Sequence, residues 1–127
     1  MLNTSKSYKN FTVLYVEDEH IIRDNVERCL KFLFNVVIAK NGQEGLEKFN
    51  NENIDLVITD INMPLKDGFS MLRDIKLLNP TLPCIVTSSV DMDLVEMANS
   101  IGICKYVSKP FDMEDLLKNS VELLENS

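Results

Sequence analysis

The sequence predicts a doubly wound α/β domain: a five-stranded parallel sheet with helices on both faces. Two observations predict it. Five short apolar runs, rich in Val and Ile and nearly continuous, alternate along the chain with amphipathic stretches, as strands buried on both faces alternate with the helices that cover them. The amphipathic stretches carry apolar residues at helical spacing, so the order reads β-α five times. That order implies a three-layer sandwich with right-handed crossovers.

The first apolar run is Phe11–Val16 (FTVLYV). After it, Ile22, Val26, Cys29, Leu30 and Leu33 fall on one face of a helix. The second run, Asn35–Ala39, leads into a short helix over Gly42–Asn50 with Leu46 and Phe49 inward; Gly45 costs this helix up to ~1 kcal/mol relative to Ala. The third run is Ile54–Thr59, and Met71, Ile75 and Leu78 repeat the helical spacing behind it. Pro80 and Pro83 bracket the entry to the fourth run, Pro83–Ser88. Leu94, Ala98 and Ile101 define a fourth helix, which Gly102 stops. The fifth run, Lys105–Ser108, precedes a last helix with Met113, Leu116, Leu117, Val121 and Leu124 inward and Asp112 as its N-cap.

The chain has 127 residues, of which 45% are hydrophobic and 26% charged. This length suits one domain, with a core over about residues 10–125, and no output domain is expected after the last helix. A chain of this size buries roughly two thirds of its unfolded surface, enough for a core without staples. No apolar run is long enough to span a membrane, and MLNTSKSYKN lacks the apolar stretch of a signal peptide, so the expected location is the cytoplasm, without membrane insertion. The net charge of −7 repels phosphate backbones and argues against direct nucleic-acid binding. Cys29, Cys84 and Cys104 form no CxxC pair and His20 is the one histidine, so neither a disulfide framework nor a zinc site is indicated. The cysteines read as small core residues, His20 as a surface residue, and Met63 and Met71 as packing.

In doubly wound folds, ligands bind outside the carboxyl ends of the strands. The first run ends in Glu17-Asp18-Glu19, the third in Asp60, the fourth in Thr87-Ser88-Ser89 and the fifth in Lys109-Pro110. Each group alone has a plain structural reading: an acidic first helical turn, a turn initiator, a helix cap, a surface lysine. Their conjunction at four strand ends is what points to chemistry. Two carboxylates ~4–5 Å apart repel by about 3–4 kcal/mol at an effective dielectric near 20, so Glu17, Asp18 and Asp60 call for a cation. Mg²⁺ suits such a site, because it takes one or two carboxylates and keeps waters or phosphate oxygens for its other positions. A carboxylate beside that ion, a lysine and a hydroxyl is arranged to accept a phosphoryl group.

These residues resemble a known family. VEDE at Val16–Glu19, DINMPLKDG at Asp60–Gly68, the hydroxyl residues that close PCIVTSS, and KYVSKPF at Lys105–Phe111 are similar to the motifs of response regulator receiver domains, in the right order over about residues 10–125. The resemblance implies a flavodoxin-like strand order 2-1-3-4-5 and a single-domain regulator of the chemotaxis type. It implies Asp60 as phosphoacceptor, Asp18 as direct Mg²⁺ ligand, Glu17 acting from the metal's water shell, and the Asn62 backbone carbonyl as a further ligand. Lys109 would pair with the phosphoryl group through a cis peptide to Pro110, Tyr106 would be the aromatic switch, and Gly68 would allow the turn after Met63-Pro64. Glu17 stands where many members have Asp. Counting from Pro83 makes Ser88 the switch hydroxyl, whereas counting back from Lys109 makes it Thr87; strand length argues for Ser88.

The implied partners are a sensor histidine kinase and a downstream target or phosphotransfer protein. The fourth helix, with Met92, Val95 and Met97, is a candidate partner surface or plain packing. The chain is expected to promote only its own phosphorylation and dephosphorylation, and is not expected to be an enzyme. An aspartyl-phosphate hydrolase would need an acid where Asn62 stands. A receiver-like module that works without phosphorylation is the remaining alternative, and the complete acid, hydroxyl and lysine set argues against it. Nucleotide motifs of the GxxxxGK[ST] and GxGxxG types do not occur.

Overall fold

The computed structural model describes residues 8–61, 63, 65–88, 102 and 105–126. Asn62, Pro64, Ser89, Cys104 and the fourth predicted helix, with Met92, Leu94, Val95, Met97, Ala98 and Ile101, lie outside the described residues. Five strands form one parallel sheet: β1 (Thr12–Val16), β2 (Asn35–Ala39), β3 (Leu56–Asp60), β4 (Cys84–Ser88) and β5 (Lys105–Ser108). Their order is β2-β1-β3-β4-β5. Four helices are described: α1 (His20–Leu30), α2 (Gly42–Asn51), α3 (Gly68–Leu78) and α4 (Met113–Glu125).

Strand alternation divides the core into two layers. On one face Val13, Tyr15, Leu56, Ile58 and Ile85 pack against Val26 and Leu30 of α1 and Leu116, Val121 and Leu124 of α4. On the other, Leu14, Val16, Val57 and Val86 pack against Met71, Leu72 and Ile75 of α3, with Leu46 and Phe49 of α2 at the margin. The central strands β1, β3 and β4 are buried almost throughout, which is why their sequences are continuous rather than alternating.

Three helices start with a side-chain cap. Asn41 Oδ1 accepts from the Glu44 N–H at 2.8 Å, Asp67 Oδ1 from the Ser70 N–H at 2.8 Å, and Asp112 Oδ1 from the Glu114 N–H at 2.9 Å. Each satisfies one of the free amides of a first turn. The N-cap predicted at Asp112 is therefore formed.

Apart from one-residue shifts at the starts of β1 and β4 and the end of α2, the structure differs from the sequence expectation at β3, at the end of α1 and in the facing of Leu78. β3 spans Leu56–Asp60, because Asp55 turns its carboxylate to the Thr12 N–H at 2.8 Å and so ties the chain ahead of the strand to β1. α1 ends at Leu30, and Leu33 reaches the core from the turn that follows rather than from the helix. Leu78 is 63% exposed, and Phe69 and Leu72 take the inward positions that its spacing suggested.

Candidate functional site

The parallel register brings four strand ends to one rim. Val16 aligns with Thr59, Asp60 with Thr87, and Ser88 with Ser108. Glu17 follows β1 directly and Asp60 is the last residue of β3, so both carboxylates leave the same edge. Glu17, Asp18 and Asp60 each offer an oxygen within 4.8 Å of the others. Glu17 is wholly buried and Asp60 nearly so.

Lys109 closes the cluster. Its Nζ donates to Glu17 Oε1 at 2.7 Å and lies 3.5 Å from Asp60 Oδ1. The Lys109 N–H bonds the Ser88 carbonyl at 2.8 Å, which extends the β4–β5 pairing by one residue and so sets where the side chain starts. The Lys109–Pro110 peptide is cis. Glu17 is held further by the Glu19 N–H, which donates to its Oε2 at 3.2 Å, and by Arg23 Nη1, which donates to its carbonyl at 3.0 Å.

The electrostatics follow from burial against pairing. Burial pushes the Glu17 carboxyl above its usual range; the bond from Lys109 opposes this, and the charge of Asp60 adds to it. Asp60 is likewise raised by burial, against the lowering effect of Lys109. Burial works to lower Lys109, but its bond to Glu17 and the negative charge of Asp60 outweigh that and raise it. One ammonium thus serves two buried carboxylates, with Asp18 beside them. The donor set is all oxygen and acidic, which fits a hard dication.

Gly68 has a role other than the turn expected of it. It opens α3, its N–H bonds the Ile61 carbonyl at 2.9 Å, and a Cβ there would collide with the Asp60 carbonyl oxygen. The missing side chain lets α3 pack against the end of β3. Among the described residues of this loop, Leu65 is left-handed, with φ 69° and 87% exposure.

The two hydroxyl candidates point to opposite faces. Ser88 and Tyr106 share a face, because β4 and β5 pair Val86 with Tyr106 and Ser88 with Ser108. Tyr106 is half-buried and packs against the core layer that contains Val86. Thr87 lies on the other face, level with Asp60, and its hydroxyl donates to the Thr59 carbonyl at 3.5 Å.

A cleft of about 530 Å³ opens onto the site between α1 and the segment from β5 to α4; Asp18, Ile22, Asp60, Lys109, Phe111 and Met113 are among its lining residues. His20 is exposed and faces Asp24 at 3.4 Å, outside the cluster. Cys29 is half-buried, and Cys84 is buried with its Sγ donating to the Leu82 carbonyl at 3.5 Å. Met71 is buried and Met63 packs against the core. Sequence reasoning missed Tyr15 and Arg23. Tyr15 carried a signal: it is a phenol two residues before Glu17 in the otherwise aliphatic run Val13–Val16. Its side chain is wholly buried, and among the described residues no partner meets its hydroxyl.

The strand order is that of the flavodoxin-like fold, with an acidic pocket at the sheet's carboxyl edge. Residues 13–120 match the response regulator receiver domain model, and the chain belongs to that family, the receivers of two-component systems. It is 32% identical over 114 residues to response regulator MprA of Mycobacterium sp. (strain KMS), covering 88% of this chain and 50% of that protein. It is 32% identical over 117 residues to a cyclic di-GMP phosphodiesterase of Thermotoga maritima, covering 91% of this chain and 31% of that protein. The chain thus spans half or less of the length of these curated relatives. A CheY-like receiver domain protein of Methanospirillum hungatei superposes with a TM-score of 0.87 at 29% identity, covering 91% of this chain and 94% of that one. Among the described residues, no helix is long and apolar enough to cross a membrane.

Proposed function

We propose that this receiver accepts a phosphoryl group on Asp60 from the phosphohistidine of a sensor kinase and passes the change to a partner protein. The observation that carries the reading is the placement of Asp60. Its carboxylate stands beside Glu17, Asp18 and the Lys109 ammonium, at the mouth of a cleft wide enough to admit a donor side chain.

Glu17, Asp18 and Asp60 would hold Mg²⁺, with the Asn62 carbonyl as the further ligand that the family pattern implies. Bound there, the ion supplies positive charge to the transferring phosphoryl oxygens and relieves the repulsion among the three carboxylates. The chemistry of the chain itself is simple. An Asp60 oxygen attacks phosphorus and forms a P–O bond as the P–N bond to the donor imidazole breaks. The imidazole leaves with that electron pair and takes up a proton. Lys109 turns from the carboxylates to a phosphoryl oxygen, as a mobile point charge can. Ser88 donates to another of these oxygens. The facing of Ser88 and Tyr106 supports Ser88 over Thr87 in this role, because a shift of Ser88 toward the rim changes the space that Tyr106 meets.

The test is phosphoryl labelling by acetyl phosphate and by a panel of phosphorylated histidine kinases. Wild-type protein is expected to label with a requirement for Mg²⁺, and Asp60→Asn to give no label. Labelling of that variant to the wild-type level would overturn the assignment.

A further inference from the structure

We propose that Leu65 is a specificity-determining residue for the phosphoryl donor: it is an apolar anchor that meets an apolar patch beside the phosphohistidine of the kinase. The proposal rests on the reading of Asp60 as phosphoacceptor.

The loop that carries Leu65 stands on the carboxylate rim. It leaves Asp60, the last residue of β3, and the Gly68 N–H closes it back on the Ile61 carbonyl at 2.9 Å. Three contacts hold its far side. The Lys66 carbonyl accepts from the Gly42 N–H at 3.0 Å, the Lys66 ammonium pairs with Asp74 at 2.7 Å, and Asp67 caps α3. Gly42 lets the loop come this close, since a Cβ there would collide with the Lys66 carbonyl oxygen. A protein that delivers a phosphoryl group to Asp60 comes to this rim and meets this loop.

The fold accounts for the backbone at position 65 but not for the side chain. With Lys66 and Asp67 both held, the chain turns through the left-handed region at Leu65, φ 69°. That region suits Gly, or Asn and Asp among residues with a Cβ, and is costly for a bulky side chain. Packing does not offset the cost, because Leu65 is 87% exposed and joins neither layer of the core. A lone exposed leucine is ordinary on a protein surface. A leucine held in a strained conformation on the loop that leaves Asp60 is not, and strain of this kind gathers at functional sites. The clamped loop keeps the side chain turned outward, so little freedom is lost when a partner covers it. Such a contact separates two kinds of donor. A kinase covers the loop, whereas acetyl phosphate is small enough to reach Asp60 without covering it.

The experiment measures phosphoryl transfer to wild type, Leu65→Asn and Leu65→Met, from acetyl phosphate and from the kinase of the panel that labels wild type fastest, with thermal unfolding alongside. Asparagine accepts the left-handed backbone, and methionine keeps the apolar volume. Leu65→Asn should unfold at the wild-type temperature or above, because strain is relieved and no packing is lost. It should take label from acetyl phosphate at the wild-type rate and from the kinase about tenfold more slowly, the scale of one leucine left unburied. Leu65→Met should recover most of the kinase rate. Equal kinase rates for wild type and Leu65→Asn would overturn the proposal, as would a Leu65→Met rate as low as that of Leu65→Asn. So would a matching fall with acetyl phosphate, which would put the effect in the pocket itself. A Leu65→Asn variant that unfolds at a lower temperature or fails to fold would also overturn it, by giving the leucine a role within the chain. If neither donor labels wild type, or Asp60→Asn labels as wild type does, the reading of Asp60 falls and this inference with it. If acetyl phosphate labels wild type and no kinase does, the kinase as donor falls together with this inference. If the kinase labels all three proteins alike, this inference alone falls.

Discussion

Asp60 and Glu17 are buried acids that share one lysine, and this arrangement sets the pH behaviour of the ion-free protein. Both carboxyls are raised from their usual values of 3.8 and 4.5. A raised folded value means that the folded state binds the proton more tightly than the unfolded chain does. The contribution of these groups to stability is therefore full below the usual values and is lost as pH rises through the raised ones. Asp60→Asn removes part of that loss. Without Mg²⁺ it should stabilise the protein at pH 7 by about 1 kcal/mol, seen as roughly 3–5 °C in the unfolding temperature, and the gain should shrink as pH falls toward 4. An equal gain at both pH values would contradict the electrostatic account. Lys109→Ala has the opposite sign at neutral pH. It leaves the wholly buried Glu17 without its cation and should cost about 2–3 kcal/mol in unfolding titrations. Added Mg²⁺ should restore much of the loss, because the carboxylates would regain a positive partner.

Gly68 and Asp112 both begin helices, yet they do different work. Asp112 satisfies an amide of α4 and is not one of the carboxylates of the cluster. Asp112→Ala should cost about 1 kcal/mol of stability and leave Mg²⁺ binding unchanged. Gly68 touches the backbone of Asp60, so Gly68→Ala forces α3 away from the end of β3. Its expected cost is larger, about 2–3 kcal/mol, and Mg²⁺ affinity should fall with it. Denaturant titrations with and without Mg²⁺ separate the two; an Asp112→Ala variant with weaker ion binding would break the distinction. Gly45 shows the same logic on α2. As a helix residue it is a weakness, but a Cβ there would collide with Met71 Sδ and press on Val16 at 3.1 Å, so the small residue is the condition for α2, α3 and β1 to meet.

Across the molecule, the β4–β5 pairing joins the carboxylate rim to the sheet edge that carries Tyr106. A receiver taken from 1% to 99% active needs about 5.5 kcal/mol of differential stabilisation. Bonds to the phosphoryl group from Lys109 and Ser88 are the expected contributors, and β4–β5 pairing links Ser88 to the strand that carries Tyr106. Ser88→Ala should therefore accept the phosphoryl group yet lose the phosphorylation-dependent change in Tyr106 environment, followed by NMR. Thr87→Ala, which lies on the opposite face, should keep that change; the reverse pattern would assign the switch to Thr87. The local signals sufficed for the strand and helix alternation, the cap at Asp112, and the identity of the acids, hydroxyls and lysine at the strand ends; the cap at Asp67 emerged with the structure. These are read from continuous apolar runs, a period of 3.6 and the residues at strand termini, which neighbouring residues determine. Strand boundaries at Asp55–Leu56, the exposure of Leu78 and the end of α1 at Leu30 were less legible, because partners distant in sequence set them. By itself the sequence determined which residues reach the carboxyl rim of a parallel sheet. Only tertiary structure decided that Ser88 rather than Thr87 shares a face with Tyr106, that Lys109 grips Glu17 more closely than Asp60, and that the Tyr15 side chain is wholly enclosed. The physical reason is that facing, register and burial belong to pairs of segments brought together by folding, and no single segment encodes them.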